Sequence, residues 1–135
     1  MVQMDIVYEG KLRCKATHGP SQNEIATDAP KDNQGRGEAF SPTDLVGAAL
    51  GTCMMTIIGI YAQRHSLDLT GSTVHVEKEM VTEPIRRIGK LTAKFTVRGQ
   101  VPEQHRAILE RAALTCPVHQ SLHPDVKIVT EFVYE

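Results

Sequence analysis

The longest uninterrupted pattern in the chain is apolar. Within SPTDLVGAALGTCMMTIIGIYAQR, residues 41–64, no formal charge falls between Leu45 and Gln63. That run is long enough for about five turns of helix. Ser41 suits an N-cap, Pro42 the first helical position, and Asp44 lies three residues after the cap. Arg64 and His65 follow where the helix dipole favours cations. The pattern predicts one helix over Ser41 to Arg64. A membrane span is one reading of such a run. Its Gly, Ala and Thr content, and the lack of basic anchors at both ends, favour a core helix buried on all sides. Gly47, Gly51 and Gly59 each cost about 1 kcal/mol of helix stability relative to Ala, which predicts close packing against other backbone.

Shorter patterns flank this helix. Asp5 to Tyr8 and Leu12 to His18 read as strands joined by Glu9-Gly10-Lys11, with a third strand over Asn23 to Thr27. Residues 28–40, DAPKDNQGRGEAF, are rich in turn formers and read as a loop of functional length, with Arg36 between two glycines. Ser72 to Val81 alternates imperfectly, with Val74, Val76 and Met80 on one face. Arg87 to Arg98 alternates cleanly from Leu91 onward, the firmest strand signal in the chain. Pro102-Glu103 opens an amphipathic helix carrying Ala107, Ile108 and Ala112. Pro117 starts a short helix through Leu122, and Lys127 to Tyr134 forms a last strand. Strands, long helix, strands, helix and strand make an α+β domain with sheet wrapped on helix, expected as a single domain over residues 1–135.

Composition narrows the function. A formal charge of −1 leaves no nucleic-acid footprint or polybasic membrane patch. The absence of Trp, with only three Phe and three Tyr, argues against base-stacking platforms and aromatic carbohydrate grooves. The N-terminus shows no secretory pattern, and the cysteine count is odd at three, so the expected compartment is the reducing cytoplasm.

In that setting the cysteines carry the chemistry worth weighing. Cys53 lies mid-helix, where free cysteine is usually a small buried hydrophobe. Cys116 directly precedes Pro117 at a helix start, where the dipole and free N–H groups favour thiolate. Cys14 sits in a strand and reads as a packing residue. Arg36 is either a solvated loop arginine or a guanidinium that lowers the Cys53 pKa. Cys116, His119 and His123 form C-x2-H-x3-H, a conceivable zinc set that lacks a fourth ligand and is broken by Pro124. The remaining histidines are scattered and carry no signal.

SPTDLVGAALGTC resembles the signature that opens the central helix of the OsmC/Ohr family, and TCPVHQSL resembles that family's second cysteine motif. Both occur in order, with strands between them. The resemblance implies an intertwined homodimer, with two sheets around long central helices and active sites at the subunit interface. It implies a thiol peroxidase that reduces organic hydroperoxides in a reducing cytoplasm, with electrons from an external dithiol and no metal or organic cofactor. It places the peroxidatic role on Cys53, the resolving role on Cys116 and thiol activation on Arg36, with Arg13 as the weaker rival. The family's activating arginine pairs with a glutamate ten residues before the cysteine. Here that position is Thr43, and the nearest carboxylate is Asp44. The alternatives are a non-catalytic relative that binds a small lipophilic ligand or senses redox state, and the zinc-binding domain.

Overall fold

The hairpin signal near the N-terminus forms in the computed structural model, which describes residues 1–135. The chain divides into two units, residues 1–46 and 47–135. In the first, β1 (Met4–Gly10), β2 (Arg13–His18) and β3 (Glu24–Asp28) make an antiparallel sheet in that order. Gly10, Lys11 and Leu12 turn the hairpin with three successive positive φ angles, of 86°, 54° and 65°. On β1, Ile6, Val7 and Tyr8 are each more than half exposed. Since successive side chains point to opposite faces, both faces of this strand present apolar surface.

The loop after β3 is held closely to itself. It contains one 3-10 turn at Lys31–Asn33. The Gly35 amide donates to the Pro30 carbonyl at 2.9 Å and the Gly37 amide to the Ala29 carbonyl at 3.3 Å. Gly35 lies so near the Ala29 backbone that an added Cβ would sit 1.6 Å from its oxygen, and Gly37 has φ +64°. Both positions require glycine for close approach or a left-handed backbone, so these glycines lock the loop instead of loosening it.

Next comes α1 (Pro42–Arg64), with the expected start. The Ser41 amide donates to Asp44 Oδ2 at 2.9 Å and the Asp44 amide to Ser41 Oγ at 3.1 Å, a reciprocal cap. The second unit begins within this helix. There β4 (Thr73–Val81) pairs antiparallel with β5 (Arg87–Val97), and β6 (Lys127–Tyr134) joins β5 in parallel. The parallel pairing needs a crossover, supplied by α2 (Glu103–Ala113) and α3 (Pro117–Ser121). The alternation read in the sequence of β5 is that of its core face: Leu91, Ala93, Phe95 and Val97 are buried. Phe95 stacks on Phe132 with ring centroids 4.6 Å apart.

Burial of α1 on all sides does not hold within this chain. The helix is long and apolar enough by length and composition to cross a membrane, yet it buries one stripe, made of Gly47, Leu50, Gly51, Met54, Ile58 and Ala62. Gly51 faces Val76 and Val74 of β4, and Gly47 faces Leu91 and Val76. The close neighbours are thus strand side chains, not backbone, and Gly59 has open space beside it. The other face carries Thr52, Thr56 and Ile60, all exposed. Thr52 Oγ1 donates to the Ala48 carbonyl and Thr56 Oγ1 to the Thr52 carbonyl, each at 2.8 Å.

Two histidines that looked scattered in the sequence come together at the end of α1. Tyr61 stacks on His65 at 4.1 Å, and its hydroxyl lies 2.7 Å from His105 Nδ1, tying the last turns of α1 to the first turn of α2.

Candidate functional site

The crossover that makes β6 parallel to β5 brings the second cysteine back to the first. Cys116 is the N-cap of α3, with Pro117 at the first position. Its Sγ accepts the His119 amide at 3.2 Å. The thiol is fully buried, and Cys53 lies close enough to help raise its pKa. Cys53 sits about three turns into α1. It is half-buried beside the packed stripe, between buried Met54 and exposed Thr52. Both cysteines are free thiols. Residues 63 positions apart in sequence are thereby neighbours within one unit, and one of them is open to solvent.

Their environments differ in a way that corrects one expectation. Position at a helix start was to favour the Cys116 thiolate, and the His119 and Val118 amides do pull that way. Burial outweighs them and pushes the Cys116 thiol up, and the hydrogen bond and charge of Cys53 add to the rise. Cys116 is therefore a buried thiol that keeps its proton.

The zinc set fails on geometry. No three His, Cys, Asp or Glu side chains converge as a metal site. His123 turns to its own loop, where Nδ1 accepts the Asp125 amide at 3.0 Å.

Arg36 and Arg13 both belong to the first unit and differ in their surroundings. Arg36 is exposed, in the pinned loop. Arg13 ion-pairs with Glu38 and reaches Asp28 Oδ2 at 3.5 Å. Asp28 is buried, and the Glu38 amide donates to its Oδ2 at 3.1 Å. That amide, with Arg13 behind it, holds the Asp28 carboxyl below the usual carboxylate range against the opposing effect of burial. Asp28 was legible only as the first residue of a polar loop; nothing in the sequence marked it as buried. Asp44, the carboxylate next to Thr43, accepts the Ser41 amide in the α1 cap. Cys14 is half-buried on β2, paired across the strands with Tyr8 and Thr27.

A separate cavity of about 280 Å³ runs beside the second half of α1, lined by Met55, Ile58, Gly59, Ala62, Leu67 and Leu69 among others, and by neither Cys53 nor Cys116.

With this geometry in hand, known proteins give a consistent comparison. The family model described as OsmC-like protein matches residues 35–131. A solved protein from Psychrobacter arcticus, provisionally described as an osmotic stress induced and detoxification response protein, is 44% identical, covers 98% of this chain and 96% of its own, and superposes with a TM-score of 0.93. An OsmC-like protein from Mycoplasma pneumoniae is 16% identical, covering 99% and 96%, with a TM-score of 0.82. An organic hydroperoxide resistance protein from Elizabethkingia anophelis is 12% identical, covering 100% and 96%, with a TM-score of 0.78. The last two are alike in fold. No curated protein matches the chain.

Proposed function

Because this chain belongs to the OsmC-like family, we propose that it is a cysteine-based peroxidase that reduces organic hydroperoxides, with Cys53 peroxidatic, Cys116 resolving and Arg36 the activating cation. The observation that carries this reading is the approach of the Cys116 thiol to Cys53, one thiol buried and the other part-exposed. The name of the Elizabethkingia structure lends the substrate class.

The chemistry follows from that division. The Cys53 thiolate attacks the distal peroxide oxygen. An S–O bond forms, the O–O bond breaks, and the alkoxide leaves as the alcohol after taking a proton. Cys53 is now a sulfenic acid. Cys116 then attacks the oxidised sulfur; an S–S bond forms, and the hydroxyl leaves as water with the Cys116 proton. A buried thiol that keeps its proton suits this second step, because it does not compete for peroxide and delivers a proton where water departs. An external dithiol supplies two electrons to restore both thiols. Cys53 lies inside α1, away from the free N–H groups of the helix start, so the charge that favours its thiolate must come from a side chain. Arg36 is the cation assigned to this.

The test is peroxide consumption with a dithiol reductant. Cys53→Ser abolishes it. Cys116→Ser leaves one turnover and a trappable sulfenic acid on Cys53. Arg36→Ala slows oxidation of Cys53 by about 10²-fold, as for loss of one charge-stabilising donor, and Arg13→Ala falls well short of that. Oxidation of Cys14 before Cys53 overturns the assignment of roles. A second reading, a non-catalytic protein for a small lipophilic ligand, draws on the cavity beside α1. It prevails if no hydroperoxide is consumed and an apolar probe binds in a manner sensitive to Ile58→Gln.

A further inference from the structure

Four interactions close the loop that carries Arg36, and all are made from its base. The Asp28 amide donates to the Phe40 carbonyl at 3.1 Å, joining the two ends. Asp28 Oδ2 accepts the Glu38 amide at 3.1 Å. The Ala29 and Pro30 carbonyls take the Gly37 and Gly35 amides on either side of Arg36. Arg13 then spans the opening, paired with both Glu38 and Asp28. Asp28 thus holds the loop through its backbone and its carboxylate together.

The carboxylate is placed for this at a cost. Asp28 is 1% exposed, and its Oδ1 is buried without a hydrogen-bond partner. A buried carboxylate with one orphaned oxygen is expensive, and a structure retains it only where the other oxygen is needed. An apolar residue would fill the position without that penalty, but it would leave the Glu38 amide without this acceptor.

We propose that Asp28 is a positioning residue of the peroxidase: its carboxylate, through the Glu38 amide and Arg13, fixes residues 29–39 and so sets where Arg36 delivers its charge. This rests on the role given to Arg36 above. Asp28 touches neither peroxide nor sulfur and acts through the loop alone. The cluster is one cation against two carboxylates, Arg13 with Asp28 and Glu38. Loss of the Asp28 charge therefore leaves the Arg13–Glu38 pair intact at the loop mouth but removes the acceptor at its base.

The experiment combines two readouts on the full chain. Amide hydrogen exchange at Gly35, Gly37 and Glu38 is compared in wild type and Asp28→Ala, alongside the rate of Cys53 oxidation by cumene hydroperoxide. Asp28→Ala accelerates exchange at these three amides by about 10-fold or more, as for a local opening set free, and slows oxidation by about 10-fold. The double variant Asp28→Ala with Arg36→Ala is no slower than Arg36→Ala alone, because the two act in series. Asp28→Asn, of the same shape and with one carbonyl acceptor retained, lies between wild type and Asp28→Ala, and it decides the matter if the alanine variant does not fold. Unchanged exchange at all three amides in the folded variant overturns the clasp. Faster exchange with multiplicative losses in the double variant overturns the action through Arg36. If wild type itself consumes no hydroperoxide, the peroxidase reading fails and this role with it, while the exchange data still judge the clasp.

Discussion

Three glycines on one helix make a graded test of the packing of α1. A Cβ built on Gly51 would sit 2.8 Å from Val76 Cγ2 and 3.5 Å from Val74 Cγ1. Valine is branched at Cβ and has little rotamer freedom with which to yield. A Cβ on Gly47 would meet Leu91 Cδ2 at 3.5 Å and Val76 Cγ1 at 3.6 Å, ordinary contact, and one on Gly59 would meet nothing within 4 Å. Replacing a helical glycine by alanine gains about 1 kcal/mol in propensity. Overpacking at a tight site costs about 1–3 kcal/mol. Gly59→Ala should therefore gain up to about 1 kcal/mol, and Gly47→Ala a similar or slightly smaller amount. Gly51→Ala should lose about 1 kcal/mol net, the middle of the difference between those two ranges. The spread of about 2 kcal/mol corresponds to roughly 8 °C in Tm for a chain of this size. Urea denaturation at matched protein concentration, checked by thermal melts, reads it directly. If Gly51→Ala is as stable as Gly59→Ala, close packing of α1 on β4 is the wrong account of that glycine. If Gly59→Ala destabilises, the space beside Gly59 is filled in solution, as a second copy of the chain would fill it, and the gain argued from helix propensity alone fails.

Two further outcomes are expected. The uncovered face of α1 and the apolar surface on β1 should be met by a second copy of the chain, burying more than about 2,000 Å²; sedimentation should show a dimer down to micromolar concentration, and a stable folded monomer there would refute it. Stability should also fall in alkali: burial raises the Cys116 thiol and pushes Tyr134 up to about 12. Both groups favour the protonated folded state, so their contribution is complete below the unfolded pKa values of about 8.5 and 10 and is lost as pH rises through the folded ones. Melts from pH 7 to 11 should show the decline, with Cys116→Ala removing its first part; a flat profile would count against it.

Local chemistry was legible in the sequence. The Ser41–Asp44 cap, Pro117 at the start of α3 and the alternation from Leu91 through Val97 each follow from residues a few positions apart, and the family resemblance rested on motifs of that kind. What escaped depended on distant partners. Asp28 reads as a loop residue until a strand and the far end of the loop fold around it, and its buried oxygen has no signature in composition. His65 and His105 share a contact only because α2 returns to the end of α1. The Cys116 thiol was expected to ionise from its helix position alone; burial, which no local pattern reports, outweighs the amides. The glycines beside Arg36 mark only a turn-rich loop in the sequence, whereas close approach at Gly35 and the backbone angle at Gly37 make them fasteners.

The two threonines on the open face of α1 carry a consequence for whatever meets that face. Their hydroxyls are already spent on carbonyls one turn back. Each hydroxyl has its proton satisfied within the helix and keeps only acceptor lone pairs for water. A contacting body can thus strip water from this face without orphaning a hydroxyl proton. Hydropathy scales, which score the residue and not its bonded state, thus charge the patch for two donors that the helix already satisfies.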